Sequence, residues 1–340
     1  MATELQGLID KVCHGGSLTE PQSESLFESV MAGSIPGDLL QSLLVAMADR
    51  GETVDELVGA AIVLRRNATR VNCDGLNAID TCGTGGDGIS TFNVSKAAAI
   101  VAAAAGAKVA KHGNCSHTRR SGSAEVMAAL GVNVEAGPDT IAHCVRKVGL
   151  GFLHAARLHP AMGRVAELRR KIGRRTIFNL LGPLINPAGV HRQVVGVPRD
   201  ILLPKIAEAL ARLGAVHAIV VCGDGQLCDF TVTGSSRYVE VRGDRSTTRI
   251  IAPSDVGLHR AELSELIVDG PAASAAVIRS VLDGEHGPRR DHTLFNAAAA
   301  LVVAGLTNDL ASGVRLAGHA IDDGGARKIL AELIQDSKNR

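Results

Sequence analysis

The sequence predicts an α/β fold: a small N-terminal helical subdomain and a larger α/β subdomain whose mainly parallel central sheet is flanked by helices. Residues 1 to about 70 hold apolar side chains at helical spacing in four stretches. From about residue 75 short β-branched runs alternate with helical patterns, which is how a parallel sheet and its crossover helices read. The first of those runs ends in a cluster of glycines, Gly83, Gly85, Gly86 and Gly88, that opens onto another helix.

Taken in order, Leu5, Leu8, Ile9 and Val12 mark the first helix, and the next three cover 26–31, 39–47 and 54–64. Gly15-Gly16, the stretch from Gly33 to Pro36, and Arg50-Gly51 separate them, and Thr19 with Gln22 suits the cap of the second. Strands are expected at 77–81, 107–110, 150–154, 193–197 and 217–222, with a helix at 94–105 after the glycines. Ser121-Gly-Ser123-Ala-Glu125 reads as a helix start with serine and glutamate in capping positions. The stretch 159–187 is helical and strongly basic, so the chain is expected to leave the sheet there, rejoin the N-terminal helices and return. Runs at 238–241 and 249–251 read as antiparallel additions, and helices at 272–283, 291–304, 310–320 and 325–334 close the chain. The expected division is a helical subdomain of 1–72, joined by about 160–190, and an α/β subdomain of 73–159 and 191–340.

With 340 residues, 46% of them apolar, the chain can bury a substantial core. Its net charge of +1 supplies no global field for nucleic acid or an anionic membrane, and 2% aromatics leave little to stack on bases. Seven cysteines, scattered and never spaced as C-x-x-C, argue against a disulfide framework or a zinc knuckle. The longest apolar run, 97–105, is too short to span a bilayer, and the first residues lack a basic region followed by an apolar core. The cytoplasm is the expected location.

The glycines at 83–88 can take positive φ and leave backbone N–H groups bare, which makes a nest for phosphate oxygens near a helix N-terminus. The pattern is neither G-x-x-x-x-G-K-S/T nor G-x-G-x-x-G, so by itself it also suits a flexible turn. A second strand end presents Lys111-His112-Gly113-Asn114 to the same crevice, and Asn93 and Ser95 stand where a helix N-terminus would meet phosphate. Asp87 suits a metal ion or a ribose hydroxyl, and equally a cap on its own turn; Lys111 at a strand end suits an anion better than solvent, given its neighbours. Arg169 could grip a carboxylate with its fork, but it is one charge among Arg164, Arg170, Lys171, Arg174 and Arg175. His159, before Pro160, could cap or line the site, but reads more readily as structural.

Gly83-Thr-Gly-Gly-Asp87, Asn93-Val-Ser95 and Lys111-His-Gly-Asn114 resemble the signatures of the anthranilate phosphoribosyltransferase family. His159-Pro-Ala-Met162, Arg169, Arg175-Thr-Ile-Phe-Asn-Leu-Leu-Gly-Pro-Leu184, Asn186-Pro187, Gly287-Pro288 and Asn296-Ala-Ala-Ala-Ala-Leu301 match it in order, so the resemblance covers nearly the whole chain. It implies transfer of phosphoribose from phosphoribosyl pyrophosphate to the amine of anthranilate, in tryptophan biosynthesis. The pyrophosphate substrate would then meet Gly83, Thr84, Gly85, Gly86, Asp87, Thr91, Asn93, Ser95, Lys96, Lys111 and Ser123. Anthranilate would meet Gly83, His112, Asn114, Arg169 and Pro183, and Mg2+ would meet Ser95, Asp229 and Asp224. The resemblance further implies a homodimer through the helical subdomain and direct attack with inversion, with no covalent intermediate and no dedicated catalytic side chain. A paralogue with another acceptor, a nucleoside phosphorylase, or a nucleic-acid-binding relative remain alternatives from the sequence.

Three positions depart from that pattern. Ser95 is followed by Lys96 where the family usually has threonine, and Asn114 by Cys115 where arginine is usual. The acidic pair that binds magnesium in the family falls on Cys228-Asp229, so one hard oxygen ligand is replaced by a soft thiol. Magnesium binding is therefore expected to be weaker, with Lys96 supplying part of the missing charge.

Overall fold

The computed structural model describes residues 2–115 and 122–338. Four helices open the chain: α1 (Ala2–Cys13), α2 (Glu20–Ala32), α3 (Gly37–Arg50) and α4 (Val54–Arg66). The expected cap is present, with Gln22 N–H donating to Thr19 Oγ1 at 3.4 Å and Thr19 N–H to the Gln22 side chain at 3.1 Å. A second such box joins Thr53 and Glu56, and it does more than start α4. The fully buried Glu56 carboxylate also takes Arg50 on both oxygens at 2.6 Å and the Leu18 N–H at 3.0 Å. A buried charge persists only when so paired, and this one ties three helix ends together.

After them come β1 (Ile79–Gly83), α5 (Val94–Ala104), β2 (Val109–Gly113), α6 (Ser123–Ala129), α7 (Pro138–Lys147) and β3 (Leu150–His154). The basic stretch then forms α8 (Ala155–Leu158), α9 (Gly163–Ile172) and α10 (Ile177–Leu181). The chain returns through β4 (Arg192–Gly196), α11 (Leu202–Arg212), β5 (His217–Gly223), β6 (Ser236–Arg242) and β7 (Arg245–Ile251). It closes with α12 (Gly270–Leu282), α13 (Pro288–Ala304), α14 (Leu310–Asp322) and α15 (Gly325–Asp336).

The strands make one sheet in the order β3-β2-β1-β4-β5-β6-β7, parallel from β3 to β5 and antiparallel from β5 to β7. The mainly parallel sheet with an antiparallel edge is thus present. Two strands lie further along the chain than expected. β1 reaches Gly83, because Gly83 pairs with Gly196 of β4 where a Cβ would come 3.0 Å from the Gly196 carbonyl. β2 reaches Gly113, so Lys111 and His112 stand inside a central strand and are buried, rather than at its end.

One face of the sheet packs on alanine-rich α5 and α13, with Ala97 to Ala103 and Ala297 to Ala300 in a single apolar cluster. The other face shares a cluster with α4, α10 and α11: Leu57, Leu64, Phe178, Leu181, Ile206 and Leu210 pack with Val195, Ala218 and Val220. The basic stretch does rejoin the N-terminal helices, since Val165, Ile177 and Leu180 belong to the same cluster as Leu26, Phe27 and Leu43. From β1 the chain winds to β2 and β3 on one side, then crosses to β4 on the other. Ligands of open α/β sheets bind at such a reversal, beyond the carboxyl ends of the strands. Here those ends are Gly83 and Gly196.

Candidate functional site

The glycine loop starts where β1 stops. Thr84 N–H donates to the Gly196 carbonyl at 2.9 Å, and then Gly85, Gly86 and Gly88 take φ of 60°, 88° and 71°. Those values suit glycine, and a turn of this kind leaves backbone amides uncovered by side chains, the feature an anion nest uses. Asp87 caps its own turn through Ile89 N–H at 3.3 Å and also accepts from Cys228 N–H at 3.4 Å, so it ties the loop to the segment carrying Cys228-Asp229. Thr91 is buried and bridges Ile267. Asn93 precedes α5 without capping it; Ser274 of α12 receives the Asn93 N–H at 2.9 Å and donates to its side-chain oxygen at 3.0 Å.

Sequence reasoning did not single out Arg175 as a site residue. Its guanidinium donates to the Gly85 carbonyl at 2.7 Å and to Thr84 O at 3.4 Å, and one of its nitrogens lies 1.3 Å from where a Gly86 Cβ would stand. The loop has glycine at 86 because an arginine from the returning segment fills the space. Burial lowers the Arg175 pKa, and nothing in a run of basic residues distinguished it from its neighbours.

Lys96 lies in the first turn of α5 and is 7% exposed; Lys111, in β2, is 1% exposed. Lys96 Nζ reaches Ser95 Oγ at 3.4 Å and Lys111 Nζ reaches the His112 carbonyl at 3.3 Å. Burial, and next the proximity of Lys111, bring the Lys96 pKa down to about 7 against the opposing pull of Asp229, Cys82 and Glu125. Both lysines are buried, which removes the solvated-surface reading of Lys111.

A second set lies on the other side of β2. His112 N–H donates to Asp80 at 3.1 Å, and its ring Nδ1 meets the Gly182 carbonyl at 3.2 Å. A carbonyl only accepts, so Nδ1 carries the proton and Nε2 is a bare acceptor. Nε2 of His112 and Nε2 of His159 are both buried without a hydrogen-bond partner among the described residues, and the two rings are 5.2 Å apart. Burial brings their pKa values to about 4 and about 3, so both are neutral near pH 7. Pro183 follows Gly182, and its carbonyl accepts from Gln193 at 2.8 Å. Arg169 lies over the ring of Phe178, 5.3 Å from its centroid, one helical turn before Gly182. Asn114 is exposed: its carbonyl takes the Ser123 and Ala124 N–H groups at 2.9 Å and 3.3 Å, and so holds the start of α6. Gly122, not a serine, precedes α6 and makes no side-chain cap, while Ser123 is its first residue; Ser121 lies outside the described residues.

Asp80, Asn186 and Asn296 are further functional supports the sequence reading did not assign. The buried Asp80 takes Asn186 Nδ2 at 2.9 Å besides His112, and burial raises its pKa. Asn296 accepts from Phe230 N–H at 3.0 Å and donates to Phe230 O at 2.8 Å and His292 O at 2.9 Å, clamping the segment behind Asp229. A polar residue inside an apolar run, as both asparagine and aspartate are here, was the available signal.

Of the three residues expected to meet magnesium, Ser95 and Asp229 line one small cavity together with Thr81, Cys82 and Cys228. Asp224 does not join them. It lies on the turn after β5 and lines a separate cleft of about 440 Å³ with Arg199, Asp200 and Arg237, because Gly225 and Gln226 turn back at φ of 71° and 67°. No group of three or more His, Cys, Asp or Glu side chains that could hold a metal occurs among the described residues. Ser95 and Asp229 could add oxygens to an ion arriving on a substrate's phosphates, but they do not form a cage for it. No helix among the described residues is long and apolar enough to cross a membrane.

Against this geometry stand the comparisons with known proteins. The family described as "Glycosyl transferase family, a/b domain" matches residues 75–327, and its helical bundle domain matches 6–68. An anthranilate phosphoribosyltransferase of Anaeromyxobacter sp. (strain K) is 48% identical over 330 residues, 97% of this chain and 98% of its own. One of Chloroflexus aurantiacus is 46% identical over 94% of this chain and 95% of its own. The crystal structure of the anthranilate phosphoribosyltransferase from Thermus thermophilus superposes with a TM-score of 0.92 at 39% identity, covering 98% of this chain and 99% of that one. The Saccharomyces cerevisiae enzyme in complex with PRPP and Mg superposes with a TM-score of 0.90 at 26% identity, covering 99% and 98%.

Proposed function

This chain belongs to the anthranilate phosphoribosyltransferase family of glycosyl transferases, and from that premise we propose how its own residues carry out the reaction. The enzyme transfers the phosphoribosyl group of phosphoribosyl pyrophosphate to the amine of anthranilate, releasing pyrophosphate, a step of tryptophan biosynthesis. The observation that carries the assignment of sites is the pairing at the sheet reversal: a glycine loop with positive φ and two buried lysines on one side, and on the other two neutral histidines whose Nε2 atoms are buried without a partner among the described residues, that of His112 being an acceptor.

The pyrophosphate sits on the amides of 85–88 and the N-terminus of α5, with Thr84, Ser95, Lys96, Lys111 and Ser123 around it. Magnesium, present with PRPP in the yeast relative, would arrive on the substrate's phosphates, where Ser95 and Asp229 could add oxygens. Anthranilate lies between β2 and the returning segment, its carboxylate on the Arg169 fork, its ring near Gly83 and Pro183, and its amine donating to His112 Nε2. Asn114 shapes the mouth of this pocket. An aromatic amine is already a neutral nucleophile, so no strong base is needed. Rate comes from holding the amine behind the anomeric carbon while fixed charges stabilise the departing pyrophosphate. The division into a 1–72 helical unit joined by 160–190 lets the two sides close on the substrates, and the outer helices of that unit face a second copy in a homodimer. The cytoplasm is its location.

Loss of anthranilate fluorescence on mixing with PRPP tests the assignment. Wild type should turn over, and Arg169→Ala should raise the KM for anthranilate about tenfold or more while leaving the KM for PRPP nearly unchanged. Wild-type protein that binds PRPP yet never consumes anthranilate points to a different acceptor. An equal rise in both KM values removes Arg169 from the carboxylate.

A further inference from the structure

Lys96 is placed where a cation is unfavourable unless an anion is close by. It lies in the first turn of α5, against the positive end of the helix dipole. It is 7% exposed, and a second buried lysine, Lys111, lies close enough to oppose its charged form. Asp229 and Glu125 offset part of this, yet two buried lysines still lie close to each other beside a helix N-terminus, whose Ser95 lines a small cavity with Asp229. Nothing in the packing requires a charge at 96, since Val94, Ala97, Ala98 and Ile100 around it are apolar and buried. The same surroundings are poor for a divalent ion. One carboxylate lines the cavity, its sequence neighbour there is a thiol, and the Ser95 hydroxyl is engaged by Lys96 Nζ.

We propose that Lys96 is a built-in cation for the pyrophosphate of phosphoribosyl pyrophosphate, supplying at Ser95 the charge that a magnesium ion would otherwise have to bring. This rests on the assignment of the glycine nest to that substrate. The incoming pyrophosphate relieves the repulsion between Lys96 and Lys111, so binding energy and charge neutralisation come from the same contact. An ammonium donates directional hydrogen bonds to phosphate oxygens without a metal having to lose its water shell, and it stays with the protein when pyrophosphate leaves.

Calorimetric titration of PRPP into the protein in EDTA, and again in excess magnesium, tests this without any turnover. Wild type should bind in EDTA within about threefold of its affinity in magnesium. Lys96→Thr and Lys96→Met should each lose about tenfold or more in EDTA, and magnesium should narrow the gap for Lys96→Thr. Thermal melts of both variants report whether the fold is intact, and the wild-type comparison stands without them. The proposal is overturned by wild type whose PRPP binding vanishes in EDTA, or by folded variants that bind there as tightly as wild type. It is equally overturned if magnesium fails to improve Lys96→Thr. Wild-type binding in EDTA without anthranilate turnover at any magnesium level removes the acceptor and leaves Lys96 in its role. No binding of PRPP under any condition removes both.

Discussion

Gly86 and Arg175 show how a single contact can decide whether the loop forms. Gly86 has φ of 88°, and an Arg175 nitrogen occupies the volume of a would-be Cβ. Gly86→Ala therefore meets two obstacles, a backbone region that alanine rarely adopts and an overlap that forces the guanidinium off the Gly85 carbonyl. The loop lies beyond the carboxyl end of a central strand, half-buried and outside the core, so the fold should survive with a loss of about 1–3 kcal/mol. The amides, however, should no longer converge. The expected outcome in steady-state kinetics is a KM for PRPP raised about tenfold or more with the KM for anthranilate little changed. A variant with wild-type PRPP affinity would show that the nest is not what holds phosphate. Glycine at this position was visible in the sequence; its reason was not, because Arg175 comes from a distant part of the chain and one basic run reads like another.

The element that carries Cys228-Asp229 has no regular structure of its own, so its placement depends on others. Asp87 holds Cys228 N–H, Gly196 packs where a Cβ would come 1.6 Å from the Cys228 carbonyl, and Asn296 of α13 clamps both polar groups of Phe230. Asn296→Leu keeps the branched shape and removes all three hydrogen bonds, leaving the buried Phe230 N–H and carbonyl unpaired at a cost of about 1–3 kcal/mol each before relaxation. Its melting temperature should fall by several degrees and PRPP affinity should fall with it, in magnesium and in EDTA alike. An unchanged affinity would detach the segment from the site. This coupling also explains what could be read beforehand and what could not. The helices and the sheet class follow from local periodicity, and the structure shows them; the packing of 159–187 on the N-terminal helices was suggested by a basic helical stretch breaking the strand pattern. The strand limits at 79–83 and 109–113, and the separation of Asp224 from Ser95, depend on pairing across the sheet and on a turn through Gly225 and Gln226. Neither is a property of the segment itself.

Across the molecule, histidines that are buried neutral set the acid limit of stability. His112, His159 and His292 are pushed by burial from 6.5 to about 4, about 3 and about 3. The folded state refuses protons that the unfolded state accepts, so the stability these groups allow is full above about pH 6.5 and is lost as pH falls toward their folded values. Each contributes a slope of up to about 1.4 kcal/mol per pH unit in that window. Lys96 adds nothing there, because its lowered value, about 7, already lies above the window. Asp80 and Glu52 act the other way: burial raises both, so the folded state takes up protons that the unfolded state releases, which offsets part of the loss near the bottom of the range. The histidines outnumber them over the upper part of the window, where carboxyls of the unfolded chain are still ionised. Urea unfolding midpoints should therefore decline from pH 7 to pH 5. His292 isolates the effect, since neither ring nitrogen has a partner among the described residues and its ring packs edge-on against Phe92 at 5.8 Å. His292→Phe removes the titrating group while keeping an aromatic ring, so its midpoint should decline less steeply than that of wild type over the same range, by about a third of the histidine share. A parallel decline in the two proteins would place the acid sensitivity elsewhere, in the carboxylates that hold the helical bundle and the sheet together.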